Sequence, residues 1–156
     1  MILNLGSGST AKQEGILNVD IRDLPETDVV ADVKKLPYEN ETVDGIINRN
    51  LIEHFGRNEI KDLLKEWARV LKKDGFMRIE TVDMGELMTH WQEIPEENLL
   101  DGILGAQTYA ENFHKMIFTK ETLVRFLEEA GMEVKEVEQF IEREIPRIKI
   151  LSIKTL

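Results

Sequence analysis

Short apolar stretches alternate with polar turns along this chain: Ile2 to Leu5, Ile16 to Val19, Asp28-Val29-Val30-Ala31, Val43 to Ile47 and Phe76 to Val82. Runs of this length, apolar at consecutive positions, suit strands of a parallel sheet covered on both faces. Between the fourth and fifth runs the period changes. Ile60, Leu63, Leu64, Trp67, Val70 and Leu71 recur at helical spacing, with Asn58 as the expected N-cap and Gly75 as the expected stop after Lys72-Lys73-Asp74. Strand, helix and strand make a βαβ unit, which is right-handed by general rule. A second helix is predicted from Thr119, burying Leu123, Phe126, Leu127 and Ala130 before Gly131 ends it. Met132 to Phe140 and Arg147 to Ile153 then alternate as strands, near enough in sequence to pair antiparallel.

These elements predict an α/β fold with a Rossmann-like, doubly wound, seven-stranded sheet, mostly parallel with an antiparallel C-terminal strand, in three α/β/α layers. Residues 84–118 fit no sheet element. They contain Trp91, Pro95, Gly102, Gly105, Tyr109, Phe113 and His114, and a stretch of that length inside a compact domain reads as a lid or substrate segment. The 156 residues make a single domain, 1–156, able to bury roughly two thirds of its unfolded surface.

Twenty Lys and Arg against thirty Asp and Glu give a net charge of −10, which argues against nonspecific binding to nucleic acid or anionic membrane. With no cysteine, disulfides, thiolate catalysis and Cys-based zinc sites are excluded, and three scattered histidines, His54, His90 and His114, predict no metal site. No signal peptide and no transmembrane segment are read from the sequence, so a cytoplasmic protein is expected.

The first run breaks at Gly6-Ser7-Gly8, and the second ends in Asp20. Glycines there let a ligand approach the backbone closely, and a carboxylate ending the next strand can accept both hydroxyls of a ribose. Gly6-Ser7-Gly8-Ser9-Thr10-Ala11 satisfies G-x-G-x-x-G/A, the dinucleotide fingerprint. That fingerprint needs a helix after the loop to hold a pyrophosphate, and an acid about 20 residues on. Only Thr10 to Gly15 separates the loop from the second strand, so a nucleoside cofactor without a pyrophosphate fits better.

Six motifs in order carry a family resemblance: Asn4-Leu5-Gly6-Ser7-Gly8; Gly15-Ile16-Leu17-Asn18-Val19-Asp20; Val30-Ala31-Asp32-Val33 before Leu36-Pro37-Tyr38; Val43-Asp44-Gly45-Ile46-Ile47; Leu51-Ile52-Glu53-His54-Phe55; and Glu66 to Gly75. Over residues 2 to 82 the chain resembles the class I S-adenosylmethionine-dependent methyltransferases, specifically the small type 11 domains. Asn112-Phe113-His114-Lys115, Phe118-Thr119 and Glu128-Glu129-Ala130-Gly131 are similar to the end of such domains. The resemblance implies S-adenosyl-L-methionine as cofactor and S-adenosyl-L-homocysteine as product. It implies that Leu5, Gly6, Ser7 and Gly8 line the methionine end, with amides receiving its carboxylate. Asp20 would hold the ribose, Ile21 and Val33 the adenine ring, and Asp32 its amino group, while Asn48, Arg49 and Asn50 would face the sulfonium. Asn4 and Ser7 stand where the family usually carries an acid or cysteine. Family members often carry helices before the first strand, so here the 84–118 segment, a homodimer mate or a partner subunit is expected to cover the pocket.

Methyl transfer from a sulfonium is an in-line displacement in which the protein mainly aligns and desolvates the nucleophile. His54 and His114 are the candidate general bases, because their ordinary pKa suits that work. The expected acceptor is a small molecule or a saccharide-type compound. A non-catalytic cofactor-binding subunit and, below it, an NAD-dependent oxidoreductase are the alternatives.

Overall fold

All five apolar runs before residue 83 form strands in the computed structural model, which describes residues 1–155: β1 Ile2–Leu5, β2 Ile16–Asp20, β3 Val29–Val30, β4 Val43–Arg49 and β5 Leu71–Val82. They are followed by β6 Met132–Glu142 and β7 Ile145–Lys154, and the sheet order is β3-β2-β1-β4-β5-β7-β6. The first five strands pair in parallel, whereas β7 runs antiparallel to both β5 and β6. The seven-stranded, mostly parallel sheet with an antiparallel C-terminal strand is therefore as the pattern predicts. Four α-helices accompany it: α1 Ile60–Val70, α2 Met84–His90, α3 Glu96–Leu104 and α4 Lys120–Glu129.

The helices are unevenly shared between the two faces. Side chains alternate along a strand, and Leu3, Leu5, Val19, Ile46, Met77, Ile79, Ile148 and Ile150 form one cluster with Leu63, Leu64 and Trp67 of α1 and Leu123 and Leu127 of α4. The opposite face has a second layer only where Val82 packs with Leu87 and Ile94 of the 84–118 segment. Over β1 and β2 it presents Asn4 and Asn18, joined by a 2.9 Å hydrogen bond, and continues to Arg78, Glu80 and Lys149 in a polar depression. No helix connects β1, β2, β3 and β4, so only loops reach this side there, with Asn18 Nδ2 donating to the Thr10 and Glu26 carbonyls at 2.7 and 3.1 Å. The three-layer arrangement is complete only at the β5–β7 end.

Two local expectations change. Asn58 does not cap α1; the helix follows Glu59, whose carboxylate accepts from the Gly56 amide at 2.8 Å, closing a turn just ahead of it. The helix ends at Val70 because Leu71 is already extended and pairs with Val43 in β5. Gly75 therefore lies in a turn within β5 rather than at a helix end, and a Cβ there would stand 2.8 Å from the Lys72 carbonyl. Within 84–118, which fits no sheet element, α2 and α3 form. Asp83 starts α2 by accepting from the Gly85 and Glu86 amides at 3.0 and 3.3 Å.

Candidate active site

The glycine loop leaves β1 at the carboxyl edge of the sheet and folds back on β2. The amides of Gly6 and Ser7 donate to the Val19 carbonyl at 2.8 and 3.2 Å, and the Gly8 amide donates to Asp20 Oδ2 at 2.8 Å. Gly6 has φ +63, a conformation that favours glycine, and a Cβ there would displace the end of the Leu51 side chain, whose Cδ1 would lie 2.5 Å away. Ser7 is buried, and its hydroxyl has no partner.

Asp20 ends β2 almost fully buried, and Arg22 clamps it. Oδ1 accepts from the Arg22 amide and Nε, both at 3.0 Å, while Oδ2 takes the Gly8 amide and, at 3.4 Å, Arg22 Nη2. Burial alone would raise the Asp20 pKa, but the hydrogen bonds from Arg22 and Gly8 and the Arg22 charge outweigh it, holding the carboxyl below its ordinary value. The Arg22 guanidinium lies 4.4 Å above the ring of Tyr109, which belongs to the 84–118 segment.

Two lobes open on either side of this arginine. The first, about 210 Å³, is walled by Asp20, Ile21, Asp32, Val33, Leu51 and Phe55. The second, about 600 Å³, receives Ser7 and Gly8 from the loop, Arg49 and Arg147 from strands, and Gly102, Asn112 and His114 from the 84–118 segment. Gly6, Arg22, Asn50, His54 and Tyr109 line both and form the seam between them. Two sequence-selected residues lie elsewhere. Leu5 is fully buried in the main core, and Asn48 is buried with its amide unpartnered and touches only the polar depression on the open face.

Asn50 turns the chain out of β4 with φ 53, and its Oδ1 accepts from Arg147 Nη2. Arg49 is held by Glu80 at 2.8 Å and by Glu142. His54 and His114 meet edge to face with ring centroids 5.0 Å apart. His54 Nδ1 lies 3.1 Å from the Phe113 carbonyl and His114 Nδ1 3.1 Å from the Gly102 carbonyl. A carbonyl only accepts, so both Nδ1 atoms carry the proton when the rings are neutral, and both Nε2 atoms keep a lone pair. Burial lowers the His114 pKa from its ordinary value, opposed by the negative charge of Glu53.

Arg22 and Arg147 are not among the residues selected from sequence, and Tyr109 is named there only as part of the lid or substrate segment. Arg22, two positions beyond the strand-ending Asp20, had a local signal in that spacing. Arg147 had none, because it meets Asn50 across 97 positions. Asp83 lies outside both lobes. Its Oδ2 accepts from Gln139 at 2.6 Å, which makes it a buried cap rather than a wall of the site. Among the described residues no cluster of three or more His, Cys, Asp or Glu side chains could hold a metal ion, and no helix is long and apolar enough to cross a membrane.

The glycine loop, the buried strand-ending acid and the cleft lie together at the carboxyl edge of the parallel strands, at the β1/β4 switch, which is where open α/β sheets bind ligands as a general rule. Residues 8–79 match the family model described as methyltransferase domain. A SAM-dependent methyltransferase of Methanosarcina mazei is 15% identical with TM-score 0.70, over 99% of this chain and 92% of that one. The 1,6-didemethyltoxoflavin-N1-methyltransferase of Burkholderia thailandensis, solved with 1,6-didemethyltoxoflavin and S-adenosylhomocysteine, is 16% identical with TM-score 0.74, over 99% and 71%. The chain held by the Trm112 methyltransferase activator in a Haloferax volcanii complex is 14% identical with TM-score 0.66, over 99% and 82%. These likenesses are of fold. No curated protein sequence matches.

Proposed function

We propose that this protein is an S-adenosylmethionine-dependent methyltransferase acting on a small-molecule or saccharide-type acceptor, with the nucleoside in the first lobe and the acceptor in the second. The observation that carries this reading is the seam: one cleft with two lobes meeting at Gly6, Asn50 and His54, as a transfer between two bound molecules requires. The residues fit the cofactor. Gly6 leaves a cradle that any Cβ would fill, the Ser7 hydroxyl is an unengaged donor, and Asp20 ends β2 as an ionised acceptor. Of the contacts to Asp20, the 3.4 Å bond from Arg22 Nη2 is the longest, and a ribose hydroxyl would replace it. Ile21 and Val33 offer apolar surface for an adenine, with Asp32 beside them. The amides of Gly6, Ser7 and Gly8 are already engaged, which leaves the Ser7 hydroxyl and side chains across the lobe to receive the methionine end.

The bound cofactor supplies the activated methyl group; the chain supplies alignment, exclusion of water and a place for the proton. Tyr109 and Asn112 cover the second lobe from the 84–118 segment, supporting its reading as a lid. His54 and His114 present Nε2 lone pairs, so either accepts the proton released by an oxygen or nitrogen nucleophile. An NAD reading has little support, since no helix follows the glycine loop to seat a pyrophosphate.

Calorimetric titration with S-adenosylmethionine, S-adenosylhomocysteine and NAD is the direct test. Binding of the adenosyl compounds and not of NAD is expected, with Asp20→Ala weakening S-adenosylhomocysteine by about 1 to 3 kcal/mol. Failure of both adenosyl compounds to bind would reject the proposal, and binding without methyl transfer to any metabolite fraction would favour a non-catalytic subunit.

A further inference from the structure

The second lobe has a charge pattern at odds with the molecule around it. In a chain of net charge −10, four arginines line it, Arg22, Arg49, Arg143 and Arg147, against two acids, Asp101 and Glu142. Two of the four are neutralised in place, Arg22 by Asp20 and Arg49 by Glu80 and Glu142. Arg143 is exposed in the turn between β6 and β7. Arg147 is only 6% exposed, on β7 opposite Val82 of β5 and Phe140 of β6.

A guanidinium buried this deeply is costly unless its donors are satisfied. Here only Nη2 is engaged, by Asn50 Oδ1 and by Glu80 Oε1 at 3.3 Å. Nε is sealed from solvent without a partner, and among the described residues Nη1 makes no hydrogen bond either. Glu80 is shared, since Arg49 holds the same oxygen at 2.8 Å. The Glu53 carboxylate attracts Arg147 through space, but neither of its oxygens has a hydrogen-bond partner. The lobe thus contains a buried, rigidly mounted cation with idle donors, and a second cation at its rim.

We infer that the second lobe contains an oxyanion subsite in which Arg147, assisted by Arg143, receives a carboxylate or phosphate group of the methyl acceptor. A planar guanidinium with unengaged donors matches both groups and is less strongly hydrated than an ammonium. The inference rests on the reading of the cleft as a methyl-transfer site, and narrows the acceptor to an anionic compound of the sugar-acid or sugar-phosphate kind. With its anion on Arg147, the rest of the acceptor lies in the lobe that His54 and His114 also line.

The test is a titration of the protein, with and without S-adenosylhomocysteine, by glucuronate, glucose 6-phosphate and glucose, following the Arg147 Nε–Hε resonance by NMR. At least one anion is expected to shift it saturably and to bind about tenfold or more tighter than glucose; whichever anion binds tighter identifies the group as carboxylate or phosphate. Arg147→Met should weaken that anion about tenfold, read from the remaining lobe resonances, and Arg143→Gln should weaken it by a smaller factor. If Arg147→Met does not fold, Arg143→Gln and the anion-to-glucose ratio decide. Glucose binding as tightly as both anions, no shift from any of the three, or unchanged affinity in folded Arg147→Met or in Arg143→Gln would overturn the subsite. The titration without S-adenosylhomocysteine reads the subsite even where no adenosyl compound binds, so the two proposals fail separately.

Discussion

Gly6 is constrained twice, by φ +63 and by Leu51 only 2.5 Å from where a Cβ would be. Gly6→Ala should therefore destabilise the fold by about 1 to 2 kcal/mol in a urea titration and weaken S-adenosylhomocysteine binding as Leu51 is pushed into the first lobe. His114 makes a pH prediction of definite sign. Burial lowers its pKa below 6.5, so the folded protein favours the neutral ring, and the unfolded chain binds the extra proton between the two pKa values. His114 thus contributes stability in full above 6.5, and that contribution is lost as pH falls through the lower, folded value. If the ring is also the base, the acid limb of kcat/KM lies below 6.5 and moves in His114→Asn, whereas a purely structural histidine changes stability alone.

Among the elements, α2 shows how a strand end and a helix start can share one carboxylate. Asp83 caps α2 through two amides and also accepts from Gln139 on β6. Asp83→Ala should cost about 1 to 2 kcal/mol in chemical denaturation, since it removes the helix cap and the acceptor for Gln139, with S-adenosylhomocysteine affinity unchanged. The strands and both long helices were legible because their hydrophobic periods are carried by adjacent residues. α2 and α3 were not: α2 leaves Met88 exposed, α3 leaves Leu100 and Leu104 exposed, and the apolar stripe that marks a helix is weak in both. Asp20 and the glycine loop could be chosen from spacing, and Asp32 through the family resemblance. Arg147 could not, because its meaning comes from β5 and β6 on either side of it.

Over the whole molecule, the main core lies between the sheet and α1 and α4 and takes in Phe118 at the end of the 84–118 segment, while the smaller cluster under the rest of that segment buries only Val82, Leu87 and Ile94. Amide exchange should therefore be fastest across residues 91–112, slowest in β1, β4 and β5, and slowed in 91–112 when both lobes are filled. Arg22 joins these regions, bonded to Asp20 in the first lobe and lying over Tyr109 of the 84–118 segment, and like Tyr109 it lines both lobes. A side chain common to both lobes cannot respond to one ligand without changing its fit to the other. Cofactor and acceptor are therefore linked thermodynamically, and the factor by which S-adenosylhomocysteine alters affinity for an acceptor must equal the factor by which that acceptor alters affinity for S-adenosylhomocysteine.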